Sequence, residues 1–235
     1  VNVSVIIPTL NEAEELAATI ETARSNDTAG LITEFIVCDG GSRDNTVEIA
    51  GQCGAICVVA KRSGRAIQMN AGASEATGNI LLFVHADTRL PDGWSESIRD
   101  AIGGGFGAGC FQLGFGNPSY ILRMYGWFTR FDMDFMRFGD QGLFILKEHF
   151  TSLGGFREDH RVLEDNEITR RIRASGLRFK VMDRVAITSP RRYLEQGKIR
   201  LQLIFAAIYT MWRLGVSQDK LIAFYRRMVV NRVPL

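Results

Sequence analysis

The sequence predicts an α/β fold with a mostly parallel central sheet and a C-terminal helical tail. Two observations carry that prediction. Four short apolar runs, residues 3–8, 34–38, 55–60 and 80–84, alternate with amphipathic stretches, which is how buried parallel strands crossed by helices are written. Each run also ends in a polar cluster: Thr9-Leu10-Asn11-Glu12, Asp39-Gly40-Gly41-Ser42-Arg43-Asp44, Lys61-Arg62-Ser63-Gly64-Arg65 and His85-Ala86-Asp87. In an open parallel sheet the ligand crevice lies outside the carboxyl ends of the strands. The four clusters are therefore expected to meet at one edge and form one site.

In chain order, helices are expected at 11–25, 44–53, 65–77 and 93–102. Ser42 or Asp44 can cap the second, and Pro91-Asp92 opens the fourth. After Gly103-Gly104-Gly105 the pattern changes. A strand is expected over 107–115, an aromatic-rich helix over 118–136, a strand over 142–147 and a turn at Leu153-Gly154-Gly155-Phe156. A helix over 164–175 has acids at its start and Arg170, Arg171 and Arg173 towards its end, the polarity that suits its dipole. Two tail helices, 196–214 and 218–232, break near Gly215-Val216-Ser217. The apolar run 201–212 is too short to cross a bilayer. It must bury against the body, a second subunit or a membrane interface. The expected division is a body over 1–190 and a basic amphipathic tail over 191–235.

Charge is unevenly spread. The whole chain carries +2, but residues 191–235 hold nine Lys/Arg against two acids. Such a tail suits a lipid surface or another acidic partner, or simply packs on the acidic body. Nothing in the pattern suggests nucleic acid as a partner. Cys38, Cys53, Cys57 and Cys110 lack paired metal spacing and read as reduced thiols, which favours the cytoplasm. The chain enters a strand at once, with no secretory leader expected.

Each polar cluster has a chemical reading and a plainer one. Asp39 followed by Gly40 and Gly41 lets backbone approach a ligand while the acid accepts from a base edge or ribose; alternatively it is a tight Asp-Gly turn. Arg62, Arg65, Gln68 and Asn70 open a helix where a diphosphate could meet guanidinium groups; the alternative is a solvated basic turn. Asp87 can hold Mg²⁺ or Mn²⁺ against a diphosphate or cap a turn. His85 can touch the ribose or bind Mn²⁺. Glu164-Asp165 offers a general base for an alcohol or decorates a helix start. Asp140 and Gln141, within Gly139-Asp140-Gln141-Gly142, can bind sugar hydroxyls or form a turn.

Taken in order, Pro8-Thr9-Leu10-Asn11-Glu12, Asp39-Gly40-Gly41-Ser42 with Asp44, Gly154-Gly155-Phe156 and Glu164-Asp165 resemble the family 2 glycosyltransferases, over residues 3 to about 190. Residues 64–72 and Gly139-Asp140-Gln141 look like one bacterial subgroup. The resemblance implies a GT-A fold, a nucleotide-sugar donor (often a UDP-sugar), a divalent cation and inverting transfer to a hydroxyl acceptor, lipid-linked or otherwise. It implies that Pro8, Thr9, Asn11, Glu12, Asp39, Gly40, Ser42, Arg62, Arg65, Gln68, Asn70, His85 and Ala86 serve the nucleotide sugar, with Asp140 and Gln141 in the sugar or acceptor pocket. Asp87 takes the metal, Asp165 is the base and Glu164 its supporting acid. One departure is visible: the family's metal motif commonly starts with Asp, and here it starts with His85. The rivals are a sugar-phosphate nucleotidyltransferase, disfavoured because Thr9–Glu12 has neither glycine nor base, and a silent scaffold of the same fold. Membrane contact and a homodimer through the tail helices are both expected possibilities.

Overall fold

A computed structural model describes residues 1–116, 118–137 and 139–229. In chain order the elements are β1 (Val3–Thr9), α1 (Leu16–Ser25), β2 (Ile32–Asp39), α2 (Thr46–Gln52), β3 (Ile56–Val59), α3 (Arg65–Glu75), β4 (Ile80–Phe83), β5 (Thr88–Arg89), α4 (Trp94–Gly103) and β6 (Ala108–Phe115). They continue with α5 (Tyr120–Phe128), β7 (Leu143–Leu146), α6 (Lys147–Ser152), α7 (Glu164–Ala174), β8 (Phe179–Thr188), α8 (Arg191–Gln196), α9 (Lys198–Arg213) and α10 (Gln218–Met228). The strands form one sheet in the order β3-β2-β1-β4-β7-β6-β8-β5. Pairings β3/β2, β2/β1, β1/β4 and β6/β8 are parallel; β4/β7, β7/β6 and β8/β5 are antiparallel.

Side chains alternate between the two faces of this sheet, as the period of a strand requires. Val3, Val5 and Ile7 of β1 join Phe35, Val37, Ile80, Leu82 and Phe144 in one core, under α1 and α4. Ile6 joins Ile36, Cys38, Leu81, Phe83 and Ile145 in the other, under α3 and α7. Helix α3 lies so close to the sheet that a Cβ on Gly72 would stand 2.4 Å from the Cys38 sulfur and 2.6 Å from Ile6. Gly72→Ala gains helix propensity of about 1 kcal/mol, but overpacking costs about 1–3 kcal/mol. The expected net result is a lower denaturation midpoint in urea, and an unchanged midpoint would show that α3 can lift off freely.

Several expectations are corrected. The run 55–60 is not a buried strand: β3 is the edge of the sheet, and Val59 is 70% exposed. The helix expected over 118–136 stops at Phe128, with only a 3₁₀ turn at Asp134–Met136 beyond it. The cause is Arg137, a buried side chain that donates to the carbonyls of Thr129 (2.9 Å), Phe131 and Met133 (3.3 Å). It satisfies carbonyls that would otherwise continue a helix. Strand β8 was not anticipated, because Asp183 and Arg184 interrupt its apolar pattern. Helix α1 starts at Leu16 rather than residue 11; residues 11–15 are used to build the site. The second tail helix is described to Met228, and residues 230–232 of the expected range lie outside the described residues.

Candidate active site

The ends of β1 and β4, the N-termini of α3 and α7, and helices α8–α10 surround a cleft of about 410 Å³. Of the residues singled out from sequence, Pro8, Thr9, Glu12, Arg65, Gln68, His85, Ala86, Asp87, Asp140, Glu164 and Asp165 line it. The convergence expected of the strand ends is therefore found for β1 and β4. The β2 cluster sits next door. Asp39 is buried, with its carboxylate accepting from the amides of Gly41 and Ser42 (2.8 Å each), from the Thr9 hydroxyl (3.4 Å) and from the Ser42 hydroxyl. Asn11 joins the same loop: its backbone N–H donates to Ser42 Oγ at 2.8 Å, and its side-chain Oδ1 accepts from the Arg43 amide at 2.8 Å.

Other predicted residues have different work. The Gln68 amide donates to the carbonyls of Thr9 (2.7 Å) and Cys38 (2.8 Å), fastening the ends of β1 and β2 together beneath Gly40. Asn70 holds the Phe156 backbone at 2.9 Å in both directions. Arg62 is exposed and stands 3.7 Å from Glu158. Gln141 is buried, donating to the Phe111 carbonyl at 3.1 Å. None of Arg62, Asn70 and Gln141 lines the cleft.

The acid pair opens α7. Leu163 precedes it in the left-handed region at φ 62°, and Asn11, in the neighbouring loop, has φ 55°; such backbone outside glycine gathers at functional sites. The two acids are in different surroundings. Glu164 is buried and paired with Arg65 at 3.1 Å. The Arg65 guanidinium is held charged by that partner. Asp165 has no such cation of its own; burial, then the neighbouring Glu164 charge, push its carboxyl up to about 7. A buried carboxyl raised toward neutrality inside a cleft is a candidate general base.

His85, Asp87 and Asp140 each bring one ligand atom within 4.8 Å of the others. His85 Nδ1 lies 2.5 Å from Asp140. Burial disfavours the imidazolium most strongly, but the Asp140 charge and the Asp140 hydrogen bond together raise the His85 pKa. The same imidazolium outweighs the burial of Asp140 and draws its carboxyl down to about 2. Burial and then the Asp140 charge raise Asp87; burial and then Asp87 raise Glu12. Among the described residues, His85 Nε2 and Glu12 Oε2 are buried without a hydrogen-bond partner, Glu12 Oε2 lying 3.8 Å from Arg191. Carboxylates crowded with a histidine and left partly unsatisfied fit a divalent cation. Asp140, read from sequence as a sugar ligand, is thus a candidate metal ligand.

Gly139 makes this closeness possible: a Cβ there would meet both Asp165 Oδ2 and His85 Nε2 at 2.5 Å. Sequence reasoning missed Arg192 and Tyr193, which line the cleft from α8, and the aromatic wall of Phe205, Tyr209 and Tyr225 behind them. The signal was the basic tail itself, whose helices pack on the body, one of the alternatives its sequence leaves open. Leu201, Ile204, Ile208, Leu221, Ile222 and Tyr225 share a core with Val162 just ahead of the acid pair.

A family model for glycosyl transferase family 2 matches residues 4–182. This chain belongs to that family. The family 2 chain is 30% identical over 172 residues to a PGL/p-HBAD biosynthesis glycosyltransferase of Mycobacterium tuberculosis, covering 69% of the chain and 66% of that relative. It is 32% identical over 108 residues to the glycosyltransferase AglE of Haloferax volcanii, covering 43% of the chain and 36% of AglE. The chain therefore spans less than or about two thirds of the length of these curated relatives. Among solved structures it resembles the mannosyltransferase PcManGT of Pyrobaculum calidifontis, solved with GDP-Man and Mn²⁺, at TM-score 0.68 and 19% identity over 99% of this chain and 66% of that one. The glucosyl-3-phosphoglycerate synthase of M. tuberculosis, solved with Mn²⁺, UDP and phosphoglyceric acid, matches at TM-score 0.60 and 19% identity over 87% and 77%. The family 2 chain thus has the GT-A fold that its sequence resembles.

Proposed function

We propose that this protein is a glycosyltransferase that moves a sugar from a nucleoside-diphosphate sugar, in the first instance a UDP-sugar, to a hydroxyl acceptor with inversion at the anomeric carbon, in the cytoplasm. The observation that carries the reading is the pairing of one carboxyl held beside Arg65 with another, Asp165, left to titrate in the same cleft as His85, Asp87 and Asp140. A reducing compartment fits four free cysteines, one of which, Cys38, has its thiol pushed up to about 12 by burial.

In this reading Thr9, Glu12 and the neighbouring Asp39–Ser42 loop take the nucleoside end. Asp39 exchanges its Ser42 hydroxyl contact for the ligand. His85, Asp87 and Asp140 would hold Mn²⁺ or Mg²⁺, which neutralises a diphosphate when bound. Arg192 supplies protein charge on the same side. Asp165 accepts the acceptor's hydroxyl proton as that oxygen attacks from the face opposite the leaving group. Glu164 stays tied to Arg65 and orients the start of α7. A single displacement needs no covalent intermediate, and alignment of the two substrates supplies up to roughly 7–11 kcal/mol.

Calorimetric titration with UDP, GDP and their sugars, with and without Mn²⁺, tests this. The expected result is selective binding of one nucleoside diphosphate that depends on the ion. A folded protein that binds none of them does not use a UDP-sugar or a GDP-sugar as donor.

A further inference from the structure

Among the described residues, the outer face of α5 is exposed. Tyr120, Met124, Trp127, Phe128 and Phe131 recur at helical spacing along it and just beyond, and Tyr120 is 82% exposed, Trp127 46% and Phe131 40%. The Trp127 ring lies 5.2 Å from Phe128 and 5.0 Å from Phe131, so they form one surface cluster. An apolar patch of this kind marks an interaction surface.

Charge identifies the occupant. Residues 118–131 include Arg123 and Arg130 and no acid. Both arginines are exposed, and the Arg130 guanidinium sits 4.8 Å over the Trp127 ring. The nearest acids along the chain, Asp132 and Asp134, share the Arg173 guanidinium, which offsets one of their two charges and leaves the stretch net positive with Arg123 and Arg130. Tryptophan and phenylalanine interleaved with arginine, on a helix lying flat on its body, match the interfacial zone of an anionic bilayer. No described helix is long and apolar enough to cross a membrane, so contact of this kind is peripheral.

The inner face of α5 ties that surface to the cleft. Gly126 lets the helix lie directly on β6, where a Cβ would stand 2.5 Å from the Leu113 carbonyl. Leu122 is buried with Leu113 and Phe115, and Tyr125 lies 6.1 Å from Tyr193. Leu113, Phe115 and Tyr193 are themselves cleft wall. One helix therefore carries the exposed aromatics on one side and backs the apolar end of the cleft on the other.

We propose that α5 seats this protein on an anionic lipid surface and brings the aromatic end of the cleft to that surface, where it takes a hydroxyl acceptor borne by a lipid. The acceptor part rests on the glycosyltransferase reading; the seat does not. The test is flotation of the full chain with vesicles of phosphatidylcholine alone and of phosphatidylcholine mixed with phosphatidylglycerol. The chain is expected to float with the mixed vesicles and to be released by high salt. Trp127→Gln with Phe131→Gln is expected to lower the floated fraction by about tenfold or more, while the double variant binds nucleotide as the parent does.

Three results would overturn the seat. The parent could stay at the bottom with anionic vesicles, or the double variant could float as well as the parent. Sedimentation could also show a parental dimer that the double variant dissolves, which would make the stripe a protein interface. Flotation uses no donor, so failure of the nucleotide titration leaves its outcome readable.

Discussion

Asp165→Asn is expected to lower the rate of sugar transfer by about 10²–10⁴-fold, the contribution of a positioned general base, while nucleotide binding stays intact. The pH profile gives the same residue a second signature. The Asp165 carboxyl is pushed up to about 7 by burial and by Glu164, so the rate should rise through that region as the base ionises and level off above it. The residual activity of the Asn variant should lack this acid limb.

The stability consequence has an unusual sign for a substitution in an active site. A carboxyl whose folded pKa is raised favours the folded state below its unfolded pKa. It loses that contribution as pH rises through its folded value. Asp165→Asn should therefore match the parent near pH 4 and be more stable above pH 7, by about 1–3 kcal/mol. Glu164→Gln should do the reverse, because it strips Arg65 of its buried partner, at a cost of about 1–3 kcal/mol. Urea denaturation at both pH values, beside transfer assays, separates the two acids. If Asp165→Asn kept its activity, or lost stability as Glu164→Gln does, the assignment of roles would be wrong.

The contrast between these acids also shows what the sequence could disclose. Strand ends and their polar clusters were legible because strand periodicity and the topology of parallel sheets are local rules. Those rules bring Thr9, Glu12, His85 and Asp87 to one edge. They do not say which residue of a cluster is spent on the scaffold. Gln68 and Asn70 resemble ligands in sequence, yet their amides are consumed by backbone carbonyls and amides far away in the chain. Arg65 looked like a free phosphate clamp because Glu164 is about a hundred residues distant. The tail's burial surface stays open between the body, a second subunit and a membrane because amphipathic helices do not name the surface they bury against; α9 and α10 bury theirs around Val162, at the threshold of the acid pair. Nor does the apolar pattern give the end of α5, beyond which the buried Arg137 side chain turns back on the carbonyls that follow the helix.

Asp140 is the sharpest instance of a role decided by long-range contacts, and it leads to the second large effect. Asp87→Asn and Asp140→Asn are each expected to weaken Mn²⁺ binding by at least about 10–100-fold, since even residues outside a metal's direct ligands are worth that much. Titration of Mn²⁺ alone, followed by its paramagnetic resonance signal, measures this without substrate or turnover. The two variants should differ in one respect. Asp140→Asn also removes the carboxylate that holds His85 in place at 2.5 Å, so it should lower the histidine's pKa as well, by proton resonance of the imidazole. Asp87→Asn should leave that contact standing while relieving the crowding that raises Glu12. If His85 replaces the usual aspartate as a working ligand, His85→Ala should lose Mn²⁺ as the two acid variants do, and His85→Asp should recover part of it. If His85→Ala binds Mn²⁺ as the parent does while Asp87→Asn does not, the ion sits on the carboxylates alone and the histidine serves only to fix Asp140. If neither acid variant changes Mn²⁺ binding, the cluster holds no ion, and the protein charge of Arg192 must carry the diphosphate.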